Sequence, residues 1–269
     1  MRIALLTLES ALSAGPVLDF ARAHAGQLVL IGRSTPYRPA MGGMVGQLRA
    51  HWRRSGPGFL PFLMVNYGLP QGLGDLRRAL GGGPLARLAR DRGIPLLPVQ
   101  DVNGPGFAAA LRDAHPDVIV SFHFDQILDA ATLALAPKGV INIHPGLLPR
   151  HRGPVPTFWA MQEGPSFGVT VHRMVPRIDA GAILAQQALD LPPGTTGSTA
   201  ARLLHGLGGR LAGQVLDGMA RGAVLPEQQP PVMPYCPFPA AGALRKAARQ
   251  GHRLVGWSDL RQALTAPVG

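Results

Sequence analysis

Short apolar runs alternate with longer amphipathic segments along most of the sequence, and this alternation limits the fold more than any other feature. The apolar runs, which we interpret as strands, cover residues 2–8, 27–32, 94–99, 117–122 and 139–144. Segments with helical periodicity follow them at 16–25, 85–93, 106–115, 155–164 and 197–222. Strands that alternate with helices are typical of parallel sheets covered by helices. We therefore predict an α/β protein with a Rossmann-like, mostly parallel sheet flanked by helices.

Other stretches depart from this alternation. Residues 167–175 and 181–191 form two adjacent strand-like runs, which predicts a strand pair. Residues 35–84 are rich in Gly, Pro and basic side chains. The segment is longer than an ordinary connection between two elements, so we predict an inserted lid or binding segment. Residues 223–269 begin with a proline-rich crossing, and a helix over 240–250 and a short strand over 252–257 are predicted after it. They are too few for an independent domain, so the main domain is expected to cover 1–222 and an appendage 223–269.

Composition restricts the compartment and the class of partner. With 269 residues, of which 46% are hydrophobic, the chain can bury a substantial core. The single Cys236 allows no internal disulfide, which agrees with a reducing cytoplasm. The first apolar stretch is short and is followed by Glu9, which favours a first strand over a signal peptide. We expect a cytoplasmic protein without a membrane span.

The net charge of +11 comes almost entirely from Arg residues that are spread along the chain. Their densest cluster comprises Arg33, Arg38, Arg49, Arg53 and Arg54, and the aromatic residues Tyr37 and Trp52 lie among them. Such a cluster either contacts an anionic group of a substrate or is a solvated helix face. We do not expect a nucleic-acid partner.

Several common site motifs are absent from the sequence. It contains neither G-x-G-x-x-G nor G-x-x-x-x-G-K-[ST], which argues against NAD and against a P-loop. The nucleophile motif G-x-S-x-G is also absent. His144, His151 and His172 are close in sequence but lack the spacing of zinc ligands, so no metal is expected.

Asn142 and His144 end the strand over 139–144, and their spacing of two predicts that both side chains point to one face. A proline-rich loop follows at once, with Pro145, Pro149 and Pro154. Open α/β sheets bind ligands at the carboxyl ends of their strands. The pair is therefore a candidate site, although either residue alone is more typical of a turn or of a structural hydrogen bond.

These residues carry a family resemblance. The stretches INIHPGLLPRHRGPVPTFWAMQEG (141–164) and FGVTVHRMVPRIDAGAILAQ (167–186) resemble the central block of the folate-dependent formyltransferases. That family includes glycinamide ribonucleotide, methionyl-tRNA and nucleotide-sugar formyltransferases. Its signature of Asn-x-His, a Leu-Leu-Pro…Arg-Gly loop and Asp-x-Gly corresponds to Asn142, His144, the loop over 147–153, and Asp179 with Gly181. The chain departs from the family at Gly146, where Ser is usual, and at VPRID (175–179), where the family is commonly acidic.

The resemblance implies transfer of a formyl group from 10-formyltetrahydrofolate to an amine, with Asn142, His144 and Asp179 as catalytic residues. Such a transfer passes through a tetrahedral oxyanion, toward which Asn142 and a protonated His144 can donate. Asp179 then orients the imidazolium or holds a water that relays the proton. The stretch 122–128 resembles the pterin-binding segment, which implies a folate site formed by Phe124, Gln126, Ile127, Leu128, Ile178 and Asp179. Phe122 and Phe124 are alternatively plain core residues.

The acceptor is expected to be the amine of a small biosynthetic molecule. A methionyl-tRNA enzyme is expected to carry a further β-rich domain, and only about fifty residues follow Gly218. Candidate acceptor-binding residues are Tyr37, Trp52, Arg53 and Arg152, although Arg152 alternatively holds the loop. His172 is expected to point away from the core and to be structural.

Three alternatives to a small-molecule transferase are kept open. They are a methionyl-tRNA type of enzyme, a 10-formyltetrahydrofolate hydrolase, and a folate- or nucleic-acid-binding module without activity. The hydrolase is less favoured because that branch usually has a regulatory domain ahead of the catalytic one, whereas this chain begins directly at its first strand. A homodimer is kept as an alternative to a monomer.

Overall fold

The computed structural model describes residues 1–35, 42–164 and 166–269. One sheet joins seven strands in the order β3-β2-β1-β4-β5-β6-β7. The strands are β1 (Ile3–Leu8), β2 (Leu28–Ser34), β3 (Leu96–Val99), β4 (Val118–Phe122), β5 (Val140–His144), β6 (Phe167–Arg173) and β7 (Ile183–Leu189). Neighbouring strands from β3 to β5 pair in parallel, whereas β6 pairs antiparallel with both β5 and β7. The predicted α/β class, the mostly parallel sheet and the strand pair are confirmed.

Alternating side chains of the inner strands enter two cores, one on each face of the sheet. Ile3 and Leu5 of β1 belong to the larger core, whereas Ala4 and Leu6 belong to the smaller one. Burial on both faces explains why these strands are continuous apolar runs in the sequence. The helices are α1 (Ala14–Ala23), α2 (Gly43–Ser55), α3 (Leu60–Leu63), α4 (Leu69–Ala79), α5 (Pro84–Asp91), α6 (Pro105–Ala114), α7 (Ala130–Leu133), α8 (Pro156–Gln162), α9 (Gly197–Ala220), α10 (Ala241–Arg249) and α11 (Trp257–Thr265).

The segment between β2 and β3 is largely helical where the structure describes it. Between α2 and α4, a 3-10 turn (Pro57–Phe59), the short α3 and a π-helical turn (Met64–Gly68) continue the chain with few breaks. The buried Asn66 fixes it to α9, because its Nδ2 donates to Oγ of Ser198 at 2.8 Å. The role predicted for residues 35–84, as a lid or an acceptor-binding segment, stays a prediction.

The C-terminal residues pack along the inserted helices and α1. The predicted helix over 240–250 is confirmed as α10, but the predicted strand over 252–257 is wrong. The carbonyls of Arg253 and Leu254 instead accept the backbone N–H groups of Gly197 and Ser198 at the start of α9, at 3.0 and 2.9 Å. The division at residue 222 stays a prediction. Among the described residues, no helix combines the length and the apolar character needed to cross a membrane.

Candidate active site

Asn142 and His144 end β5, and the adjoining antiparallel strand supplies a further imidazole. His172 of β6 lies directly opposite Asn142 in the strand register. Nδ2 of Asn142 is 3.1 Å from Nε2 of His172. His144 and His172 are both buried, at 4% and 1% exposure. The hydrogen bond therefore holds the Asn142 amide against a ring that packing already fixes.

Asp179 enters the site from the turn between β6 and β7. Its backbone is in the left-handed region, with φ of 47°. The turn lies so close to β6 that a Cβ at Gly181 would meet the carbonyl oxygen of Arg173 at 2.0 Å, which explains the glycine. The Asp179 carboxylate lies between two imidazoles, with Oδ2 3.7 Å from Nδ1 of His144 and Oδ1 3.6 Å from Nε2 of His172. Both distances exceed a hydrogen bond, so the two rings face the carboxylate without binding it.

The Gly153 backbone and the Arg152 side chain, both in the loop over 145–155, hold the Asp179 turn in place. The N–H of Gly153 donates to Oδ2 of Asp179 at 2.9 Å. The buried Arg152 donates through Nε to the carbonyls of Ile178 and Asp179, both at 3.1 Å. Its remaining nitrogens donate to the carbonyls of Ile178 and of Met233, the latter at 2.6 Å. Arg152 thus ties the loop, the Asp179 turn and the C-terminal crossing together.

The same loop also fixes His144. Nε2 of His144 donates to the carbonyl oxygen of His151 at 3.1 Å, which leaves Nδ1 facing Asp179. Nε2 of His151 contacts Oε2 of Glu163 at 2.8 Å. A Cβ at Gly146 would lie 2.9 Å from Nε2 of His144 and 2.8 Å from Cβ of Pro156. A side chain at residue 146, where this chain has Gly and the family usually has Ser, would therefore press on the His144 ring.

Burial sets the protonation state of His172. The pKa of His172 is lowered to about 4, chiefly by desolvation; Asp179 opposes this shift, and the neighbouring His144 adds to it. The ring is therefore neutral near pH 7. Its Nδ1 lies 2.8 Å from the carbonyl oxygen of Arg173, so Nδ1–H is the donor and Nε2 accepts from Asn142. Because one N–H of the Asn142 amide donates to His172, the hydrogen bond also fixes the direction of the second N–H.

Some of the predicted folate-binding side chains are held by hydrogen bonds or core packing, and others are exposed to solvent. The Gln126 side chain is bound to Oγ of Ser34, the carbonyl of Val99 and the N–H of Val102, at 2.9–3.0 Å. Leu128 is in the core, and Phe124 packs beside it. Ile127 and Ile178 are exposed, at 62% and 38%. Their role in folate binding stays a prediction.

The predicted acceptor-binding residues are not brought together where the structure describes them. Tyr37 lies outside the described residues. Trp52 and Arg53 are exposed on α2, and Arg152 is engaged with backbone carbonyls as described above. Their binding role stays a prediction. Within the described ranges, no group of three or more His, Cys, Asp or Glu residues is arranged to hold a metal ion.

The expectation that His172 points away from the core is wrong, whereas its expected structural role stays a prediction. His172 is buried, and it contacts Asn142 and faces Asp179. The register between β5 and β6 is the signal that would have revealed it, because Asn142 pairs with His172 and His144 with Thr170. That register depends on how the chain returns from β5 to β6, which the sequence does not reveal.

Comparison with known proteins identifies the family of the chain. The formyl transferase family profile matches residues 74–234, and the chain belongs to this family of folate-dependent enzymes. Among solved structures, a glycinamide ribonucleotide transformylase from Symbiobacterium toebii is 20% identical, with a TM-score of 0.55, over 85% of this chain and 94% of the other. A sugar N-formyltransferase from a Shewanella species is 16% identical, with a TM-score of 0.56, over 98% and 87%.

A third similar structure is a sugar 3-N-formyltransferase determined in the presence of dTDP and 5-N-formyltetrahydrofolate. It is 13% identical, with a TM-score of 0.55, over 88% of this chain and 70% of the other. At these identities the three structures support the shared fold and leave the acceptor open.

Proposed function

We propose that this protein transfers the formyl group of 10-formyltetrahydrofolate to the primary amine of a small molecule. The observation that carries the proposal is the placement of the Asp179 carboxylate 3.7 Å from His144 and 3.6 Å from His172, beside the oriented amide of Asn142. These groups lie at the carboxyl end of β5, where α/β sheets bind ligands. When bound, the folate supplies an activated formyl group on its N10 nitrogen.

Asn142 is proposed to stabilise the negative charge that develops on the formyl oxygen. One N–H of its amide donates to Nε2 of the neutral His172, which leaves the other for the substrate. A donor that packing holds in place needs no reorganisation when the charge develops. His172 is therefore a positioning residue that acts through Asn142.

His144 and Asp179 are proposed to assist the transfer of the proton that leaves the attacking amine. Nδ1 of His144 faces Oδ2 of Asp179, and the gap of 3.7 Å is longer than a hydrogen bond. Catalytic hydrogen bonds in free enzymes are often long and tighten once substrate is bound. The Gly153 N–H holds the same Oδ2, so the carboxylate stays aimed at the imidazole.

The folate is proposed to bind along the segment from Phe124 to Leu128 and against Ile178. Among the described residues, the backbone N–H and C=O groups of Phe124 and Gln126 make no hydrogen bond to the protein. Such groups can bind the polar edge of a pterin, while the exposed Ile127 and Ile178 side chains offer apolar contact. The residues present therefore fit the donor.

Product analysis tests transfer against hydrolysis. The enzyme is incubated with 10-formyltetrahydrofolate, with and without a panel of amines, and tetrahydrofolate and formylated products are measured separately. We expect tetrahydrofolate to form only with an accepted amine and in equal amount to the formamide. Formate release at the same rate without any amine would replace transfer by hydrolysis.

A further inference from the structure

A cavity of about 1330 Å³ lies over the carboxyl ends of β1 and β4. The chain leaves β1 toward β2 on one side of the sheet and continues from β4 toward β5 on the other, so the cavity lies at the topological switch point. Its volume exceeds that of most small-molecule pockets. Leu8 and His123 form its floor, and the inserted helices α2, α3 and α4 form its walls.

Most side chains on the lining are apolar. They include Leu48 of α2, Leu60 and Leu63 of α3, and Leu73 of α4, together with Val155 and Phe238. Met44 and Met64 also line the cavity, at 54% and 53% exposure, so its apolar character continues to the surface. A wall of this kind is stabilised by covering it with an apolar ligand.

Among the described residues, few of the polar side chains on the lining are charged. Burial lowers the pKa values of His51 and His123 and raises that of Tyr67, so all three are neutral near pH 7. Of the lining residues that the structure describes, Arg54, Asp75 and Asp125 are charged. Asp75 forms an ion pair with Arg78. The guanidinium of Arg54 lies 5.1 Å from the ring centroid of Phe238.

The start of α1, where an α/β fold often binds a phosphate, is closed by the protein itself. The backbone N–H of Ala11 donates to the carbonyl of Asn66 at 2.9 Å. The next three amides, of Leu12, Ser13 and Ala14, donate to Ser10, and all four donor residues are buried. Glu9, at 2% exposure, precedes them in the chain, and its Oε2 accepts a hydrogen bond from Arg33 at 3.0 Å. The start of α1 therefore offers a phosphate none of these four amides.

We infer that the formyl acceptor is a primary amine carried on an apolar aliphatic or aromatic body without a phosphate group. This inference rests on the proposed function. The apolar body occupies the cavity, and the amine points toward Pro154 and Val155, which follow the Gly153 that binds Asp179. A C–N bond forms between the amine and the formyl carbon while the bond from that carbon to N10 breaks. One proton of the amine ends on N10.

A series of n-alkylamines from ethylamine to octylamine tests this inference, with O-phosphoethanolamine and a dTDP-linked amino sugar as comparison. Formamide production with 10-formyltetrahydrofolate is measured by mass spectrometry. We expect kcat/KM to rise about fourfold for each added methylene, as burial of that group predicts. A flat series, or preference for either phosphorylated amine, would overturn the inference and leave the proposed transferase intact.

Variants of α2 provide a matched control. Met44→Glu and Leu48→Glu place a carboxylate on the cavity lining, whereas Val45→Glu places it on the same helix outside the lining, at a residue 74% exposed. We expect the KM for octylamine to rise about tenfold or more in the first two variants and to stay unchanged in the third. An equal effect in all three would contradict the inference.

Binding of 5-formyltetrahydrofolate, measured by thermal shift, separates the remaining outcomes. We expect the same affinity in all three variants, because the cavity is assigned to the acceptor. A loss of folate binding in Met44→Glu and Leu48→Glu would assign the cavity to the donor and overturn the inference. Failure of folates to bind the unmodified enzyme would instead contradict the proposed function.

Discussion

The amide nitrogen of Asn142 lies 3.1 Å from Nε2 of His172, directly across the antiparallel pair of β5 and β6. Since Nδ1 of the same ring binds the carbonyl of Arg173, the neutral ring can accept the Asn142 hydrogen bond only at Nε2. Burial keeps the ring in that form. The orientation of the Asn142 amide thus depends on a buried histidine of the neighbouring strand.

Replacement of His172 tests this dependence. In His172→Leu the Asn142 amide loses its acceptor, and we expect kcat to fall by about 10- to 100-fold with little change in KM. His172→Gln offers an amide oxygen at the same place and should restore most of the activity. The kinetic constants of both variants are the measurement. Equal loss in both variants would show that the hydrogen bond is not what orients Asn142.

The same residue predicts a dependence of stability on pH. Its pKa is about 4 in the folded protein against an ordinary 6.5, so between these values the unfolded chain binds a proton that the folded chain does not. Stability therefore falls as the pH falls from 6.5 to 4, by about 3 kcal/mol for this residue. Burial lowers the pKa values of His123 and His205 as well, and they act in the same direction. The raised pKa of Glu9 acts in the opposite direction.

Denaturant unfolding of the wild type and of His172→Gln across this pH range measures the effect. We expect the free energy of unfolding to decrease less steeply in the variant. His115→Asn, at an exposed position, controls for the loss of an imidazole. Parallel curves for the wild type and His172→Gln would contradict the assigned protonation state.

Much of the fold could be predicted from the sequence because burial in the core leaves a local pattern of apolar residues in each strand. Strands buried on both faces, such as β1 and β4, are continuous apolar runs, and each predicted run lies within about two residues of an observed strand. The predicted strand over 252–257 is wrong because Arg253 and Leu254 direct their carbonyls to the start of α9 rather than to a neighbouring strand. That contact joins residues distant in sequence, so the local pattern could not show it.

The candidate site was predictable only in part, for a similar reason. The spacing of Asn142 and His144 places them on one strand, and the Asp-x-Gly turn marks Asp179 through the family resemblance. His172 and the cavity depend on strand register and on the packing of helices between residues 42 and 79. There, Gly and Pro obscure the helical periodicity.

Arg152 provides a test of the loop. Arg152→Lys keeps the charge but loses the planar set of donors that binds the carbonyls of Ile178, Asp179 and Met233. We expect a loss of about 2 kcal/mol in stability and a lower kcat, because the Asp179 turn loosens. Arg150→Lys, at an exposed position of the same loop, is the control. A variant of normal stability with a raised KM for the amine would instead favour the predicted acceptor-binding role of Arg152.

Gly146→Ser introduces the residue that the family usually has. Its Cβ would lie 2.9 Å from Nε2 of His144, so we expect a stability loss of about 1–3 kcal/mol and a reduced kcat. Gly106→Ser, where a Cβ meets nothing within 4 Å, is the matched control for the loss of a glycine. Increased activity in Gly146→Ser would show that the missing hydroxyl matters more than the packing on His144.

The rate of formyl transfer by His144→Asn and by Asp179→Asn tests the central claim most directly. Single-turnover measurements with bound 10-formyltetrahydrofolate and an accepted amine report the chemical step, and binding of 5-formyltetrahydrofolate is measured separately. The account predicts a decrease of about a thousandfold or more in the transfer rate, with folate affinity changed by less than about tenfold. Transfer at the wild-type rate in either variant would contradict it.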